Sequence, residues 1–198
     1  MNNVESIGKL IGRPVVSMET ANKLGHVNDL LIDPVTGLLE GLSVEKLDES
    51  CALVSSIDVH NIGPDAIMVE QDHSLVLVDA SPLRDVPRVK ANLTDVKVIT
   101  EGGQLLGKIS DAFLCLLTEP VFIYEVRNSI FDLLLGHAFY FPASLGCALS
   151  GDGSALVIRT ETALLDHKLE AAAQRVFGSE RVELPDKVRI QIEIRSHA

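Results

Sequence analysis

The side chains able to do chemistry are scattered along this chain. Its six histidines, His26, His60, His73, His137, His167 and His197, form no HxH or HxxxH spacing, the local arrangement from which a zinc site is most simply built. His60 and His73 lie near Asp58, Asp65 and Asp72 in sequence, so a metal or ligand site there would need folding to bring them together. The three cysteines, Cys51, Cys115 and Cys147, are odd in number and lack a CxxC pair, which speaks against a disulfide framework and a thiolate metal site. Cys115, inside the apolar run FLCLLT, reads as a small core residue. Asp29 and Asp111 are the nearest approach to a carboxylate pair. Acid–base catalysis needs two groups converging on one substrate, and these two occupy equivalent positions of a repeat, hence separate units. An Asp that binds backbone at a strand end is the simpler reading. The GDGS stretch, Gly151–Ser154, offers amides that could cradle a phosphate, yet between strands such a run is a hairpin turn. No P-loop, nucleophile elbow or dinucleotide fingerprint occurs. No catalytic residue, cofactor or metal is therefore assigned, and the chain is read as non-enzymatic.

The repeat is the most informative feature. Shifting the chain by 82 residues places Leu24 on Leu106, Gly25 on Gly107, Val27 on Ile109, Asp29 on Asp111 and Val44 on Val126. Ala66–Val69 matches Ala155–Ile158 at a longer shift, so the second copy holds an insertion within Asn128–Gly136. Repeats of this length are duplicated domains; solenoid units are about 20–50 residues long. Turn signals recur every eight to twelve residues through the first 160, a rhythm of all-β barrels or sandwiches. Strands are expected near Pro14–Met18, His26–Ile32, Leu38–Lys46, Ala52–Ser55 and Ala66–Val69. The second series falls near Lys97–Thr100, Lys108–Leu116, Val121–Val126, His137–Phe141 and Ala155–Ile158. Asp33–Gly37 closes a hairpin, with Pro34 presetting φ and Gly37 accepting a positive one. Glu161–Phe177 has helical apolar spacing, with Thr160 or Thr162 to cap its start and Gly178 to end it. Lys187–Arg195 alternates as a half-buried strand.

Composition narrows the function. Hydrophobic residues make up 46% of the chain but aromatics only 4%, without Trp, so the core must be aliphatic. No apolar run approaches the roughly 20 residues of a membrane helix, and MNNVESIGKLIG lacks the features of a signal peptide; a cytoplasmic protein is the default. The net charge of −11, from 28 acidic and 17 basic residues, argues against nucleic-acid binding, which draws its affinity from phosphate neutralisation. The densest basic stretch is Arg84–Lys90, RDVPRVK, within the linker between the copies.

The pattern Gly12-x-Pro14-Val15, then Leu24-Gly25-x-Val27-x-Asp29, then Asp33-x-x-x-Gly37 and the segment around Ile57 resembles the PRC-barrel domain. That family includes the cytoplasmic domain of the photosynthetic reaction-centre H subunit and the C-terminal half of the ribosome maturation factor RimM. The second copy keeps Leu106, Gly107, Ile109 and Asp111 but has Cys115 and Glu119 where the first has Asp33 and Gly37. The resemblance implies an all-β protein of two tandem small barrels, residues 1–80 and 93–160, joined by a linker at 81–92. A C-terminal helix and one strand follow over 161–198. It implies an adaptor or assembly role toward a protein partner and no shared active site. Gly25, Asp29, Gly107 and Asp111 are then structural. A partner or a membrane surface would meet the linker side or the apolar strip Ser129–Leu149, through Phe131, Leu134, Phe139, Tyr140 and Phe141. The C-terminal elements could serve a homodimer. A small-ligand or metal-binding sensor and a RimM-like ribosome-associated factor stay open as alternatives.

Overall fold

A computed structural model describes residues 4–34, 36–117, 120–128, 137–159 and 166–178. The first half runs β1 (Val4–Ser6), the single helical turn α1 (Ile7–Leu10), β2 (Pro14–Ser17), β3 (Lys23–Ile32), β4 (Leu39–Lys46), β5 (Cys51–Ser55), β6 (Val59–Ile62), β7 (Ile67–Val69) and β8 (Val76–Leu77). After a linker of short helical turns come β9 (Lys97–Thr100), β10 (Leu105–Cys115), β11 (Val121–Arg127), β12 (Phe139–Pro142), β13 (Gly146–Leu149), β14 (Ala155–Ile158) and the helix α2 (Leu169–Phe177).

The two halves share one topology. The first sheet has the order β6-β7-β2-β3-β4-β5, with β8 on the far edge of β5; the second has β13-β14-β9-β10-β11-β12. Each contains a single parallel pair, β2 with β7 and β9 with β14. In each, the strands at opposite ends of the order are joined by a three-residue 3-10 turn, Ser56–Asp58 or Ala143–Leu145. Six strands laid flat would separate those ends by roughly 24 Å, whereas four Cα steps span at most about 14 Å. The sheet must therefore curl until its edges meet. Each half is a small barrel, and the expected all-β architecture followed by a helix is what the chain adopts.

The repeated glycine and aspartate explain how the long strands bend. Gly25 and Gly107 sit where the pairing of β3 with β2, and of β10 with β9, slips by one residue. A Cβ on Gly25 would come within 2.3 Å of the Glu45 carbonyl, and one on Gly107 within 2.3 Å of the Arg127 carbonyl, so only glycine admits the neighbouring strand. A second bulge follows at once, between Val27 and Asp29 and between Ile109 and Asp111. There each Asp turns its Oδ1 back to accept from the next amide, Leu30 N or Ala112 N, at 2.8 Å. Two bulges in five residues coil the strand.

One edge of each long strand is then completed from the other half. β10 pairs with β9 through Leu105–Lys108; farther along that edge it pairs with β1, Val4 opposite Cys115 and Ser6 opposite Phe113. Reciprocally, β3 pairs with β2 near its start, while Leu31 bridges Arg88 and the Ile32 amide donates to the Pro87 carbonyl at 2.9 Å. Each segment lies just ahead of its own barrel: β1 and α1 before β2, residues 87–93 before β9. A third contact joins the barrels where Leu38 bridges Val121, with Leu39 N donating to Pro120 O and Phe122 N to Gly37 O, both at 2.9 Å. Gly37 has φ +74°, and a Cβ there would lie 2.7 Å from that of Ala143. One continuous apolar core, mostly aliphatic but with Phe122, Tyr124 and Phe141 in the second barrel, runs from Val15, Leu30 and Leu42 through to Leu114 and fills both barrels.

Strands β9 and β14 have the expected bounds. The structure departs from expectation at several other elements. β1, β6 and β13 were not anticipated; β1 is a strand only through its pairing with β10. The helix was expected from Glu161; α2 begins at Leu169, because Asp166 is extended and pairs with the edge of β12, exchanging amide–carbonyl bonds with Tyr140 at 2.7 and 2.9 Å. Its Leu169, Ala172, Ala173 and Phe177 cover Val4, Phe113, Cys115 and Ile123 in a second apolar cluster. Thr160, Thr162, the insertion at 129–136 and the strand expected at Lys187–Arg195 lie outside the described residues. Among the described residues no helix is long and apolar enough to cross a membrane.

Asp29 ties this architecture together. It is 3% exposed, and besides Leu30 it accepts from Lys90 N at 2.9 Å and Ala91 N at 3.0 Å, in the π-helical turn Val89–Leu93. Asp29→Ala would strand three amides, two of them inter-barrel. We expect a loss of about 3 kcal/mol in urea-induced unfolding; an unchanged midpoint would show that the carboxylate holds nothing.

Candidate functional site: the linker-side cleft

The linker that carries the basic stretch is built onto the first barrel one bond at a time. Ser81 caps a 3-10 turn, Pro82–Asp85, its Oγ accepting from Leu83 N at 3.2 Å. Leu83 packs over Gly41, where a Cβ would lie 3.0 Å from its Cδ1. With Leu83 inward, Arg84 and Asp85 are exposed, the guanidinium Nε 3.3 Å from the carboxylate. Pro87 is fixed by its bond to Ile32, and Asn92 Oδ1 accepts from Arg88 N at 2.8 Å.

Across from this wall stands the β13–β14 turn. Within it Gly153 N donates to Ser150 O at 2.8 Å, Ser154 N to Asp152 Oδ1 at 3.0 Å and Ala155 N to Ser150 Oγ at 2.9 Å. The Ser150 and Ser154 hydroxyls also donate to Asp152, and these bonds pull its carboxyl down to about 2. The stretch is a hairpin turn with an anion at its tip: the Gly153 and Ser154 amides are already bonded, and the Asp152 carboxylate would repel a phosphate.

Linker and turn together enclose a cleft of about 480 Å³. Val86, Pro87, Ala91 and Leu149 supply apolar lining; Arg84, Arg88 and Asn92 face Asp152 and its turn across it. The Arg88 guanidinium has no ion-pair partner among the described residues. Such a cleft can hold an apolar side chain flanked by charge, and it draws on the linker and the second barrel. The sequence pointed to its two walls separately; only the fold makes them face each other.

The other singled-out residues are scaffold or stand apart. Asp29 and Asp111 lie in different barrels and bind backbone. His60 Nδ1 is 3.1 Å from Glu70 Oε1 at an exposed site, and among the described residues no group of three or more His, Cys, Asp or Glu converges. Of the aromatic strip, Phe131 and Leu134 lie outside the described residues. Phe139 is half-buried, its ring 4.9 Å from that of His167. Tyr140 is half-buried beneath α2 and donates its hydroxyl to Glu125 at 2.9 Å. Phe141 is wholly buried, edge-on to Tyr124 at 5.6 Å; as the inward residue of β12 it belongs to the core, which corrects its assignment to a partner surface.

Sequence reasoning missed one buried polar cluster. Glu125 is 7% exposed and accepts from Ser110 Oγ at 2.8 Å, Arg127 Nε at 2.6 Å and Tyr140. Nothing in an alternating strand separates such a Glu from a solvated one. The Cys115 thiol, also buried, is pushed up to about 12 by desolvation. The Tyr124 hydroxyl is pushed up as well, by burial and then by the Asp33 charge, and has no hydrogen-bond partner among the described residues.

Set against known proteins, residues 2–76 match the model of the PRC-barrel domain family. No curated protein matches the chain. The matched segment takes in β1 through the first residue of β8, and so includes a strand that pairs in the second barrel.

The buried polar groups give a contrast in stability. Glu125→Ala leaves Arg127 without its closest anion and should cost about 3 kcal/mol. Tyr124→Phe removes an unbonded buried hydroxyl and should be neutral or stabilise by up to about 1 kcal/mol. Paired chemical denaturation curves check both; equal losses would mean Tyr124 has a partner after all.

Proposed function

We propose that this protein is a non-enzymatic adaptor made of two PRC-type barrels, the second a divergent copy, that docks a protein partner at the linker-side cleft. Three things support the reading. Residues 2–76 match a domain family associated with interaction and assembly. The second sheet repeats the strand order, the parallel pair and both bulges of the first. The cleft, the observation that carries the proposal, unites the chain's densest cationic stretch with an apolar floor, in a protein otherwise strongly acidic. A partner segment that places an apolar residue between Pro87 and Leu149, with an acidic neighbour toward Arg88, fits that lining. The acidic surface elsewhere adds long-range selectivity by repelling acidic proteins that lack this fit.

The test compares partner capture from the native cell by the wild-type chain and by Arg84→Glu/Arg88→Glu. These side chains are exposed or unpaired, so the double variant should keep its melting temperature and lose the partner at least about tenfold, the effect of roughly 1.4 kcal/mol. Equal capture by both would move the binding surface elsewhere. Stoichiometric zinc or iron in the purified protein would favour the sensor reading instead.

A further inference from the structure

The seat of β1 on the second barrel has the properties of a strand-docking groove. Beyond Lys108, the edge of β10 opposite β11 is left open by β9, and at Phe113–Cys115 it takes an extended three-residue segment in antiparallel register. Beside it lies an apolar pocket of Phe113, Cys115, Ile123, Leu169 and Phe177, which buries Val4 completely. Ile7 and Leu10 of α1 enter the main core just beyond. Main-chain pairing with pockets for alternate side chains is the physics of β-strand addition. The occupant is joined to the first barrel only through Ile11–Arg13. Gly12 there has φ +81°, and Arg13 holds the root by bonding the Gly63 and Lys9 carbonyls at 2.7 and 3.3 Å and approaching Glu5 at 3.5 Å.

From this geometry we infer that the arm, Val4–Leu10, is exchangeable: the groove on β10 accepts the same segment from a second copy of this chain, giving an arm-swapped dimer. The pairing of Val4–Ser6 and the pocket around Val4 come from β10, β11 and α2, more than a hundred residues away in sequence, and would accept the same segment from another chain. The equivalent seat on β3 differs, because residues 87–93 pass through it on the way to β9 and are anchored on both sides. The groove on β10 is instead filled by a segment whose link to the first barrel runs through the short root Ile11–Arg13. In the intact monomer the tether keeps the arm at high local concentration, so exchange shows itself when the chain's own arm is weakened.

The test uses the full-length chain carrying Val4→Asp and Ile7→Asp, which puts carboxylates into both apolar pockets. A fluorescent peptide of residues 1–11 is titrated onto this variant and onto wild type, with anisotropy as readout. The expected result is saturable one-to-one binding to the variant, at least about tenfold tighter than to wild type, and no binding of a peptide bearing the same two substitutions. A folded variant that binds the wild-type peptide no better than the wild-type chain does would overturn the inference. Should the variant not fold alone, refolding with excess wild-type peptide decides: recovery of soluble, cooperatively melting protein supports the groove, and failure to recover it rejects the groove.

Discussion

A strand longer than its neighbours leaves part of an edge unpaired, and unsatisfied amides and carbonyls near a core are costly. Both long strands here, β3 and β10, pose this problem, and the chain solves it the same way twice. The missing stretch of edge comes from the segment that introduces the opposite barrel. The rest of the architecture depends on that exchange. It places residues 87–93 where the Asp29 carboxylate can accept their amides, brings Val4 beneath α2, and lets one core run through both barrels.

The parts legible in the sequence were those with a local cause. Gly25, Asp29, Gly107 and Asp111 stood out because they recur at a fixed shift, and the structure gives the local cause: a close strand approach that tolerates no Cβ, followed by a bulge. The Asp33–Gly37 hairpin could be read from turn chemistry alone. The parts not legible were those whose cause is distant. Val4–Ser6 is a strand because of Cys115, and α2 begins at Leu169 because Asp166 is claimed by Tyr140. Phe141 and Tyr140 are adjacent aromatics with no local sign of which faces the core. Glu125 is buried only because Ser110, Arg127 and Tyr140 meet it.

The candidate site shows the same division. Arg84–Lys90 and Gly151–Ser154 were each conspicuous, one for charge and one for a possible anion cradle, and each was assessed alone. Folding sets the two against each other across a cleft and reverses the meaning of the second. Two of its amides are bonded within the turn, and Asp152 contributes a fixed negative charge. A cleft with cations on one wall and an anion on the other selects by orientation, because a ligand carrying a single charge fits in only one direction.

The register of Val4 with Cys115 also bears on how the chain acquires its structure. During synthesis the arm emerges more than a hundred residues before its seat, so it waits unpaired until β10 is made. The first barrel can close its own sheet once β7 has left the ribosome, but β3 keeps an open edge until residues 87–93 follow. Contacts this remote in sequence raise the contact order and slow the final step. That interval, with an apolar arm at one end and an incomplete strand edge at the other, is when the nascent chain is most exposed to aggregation.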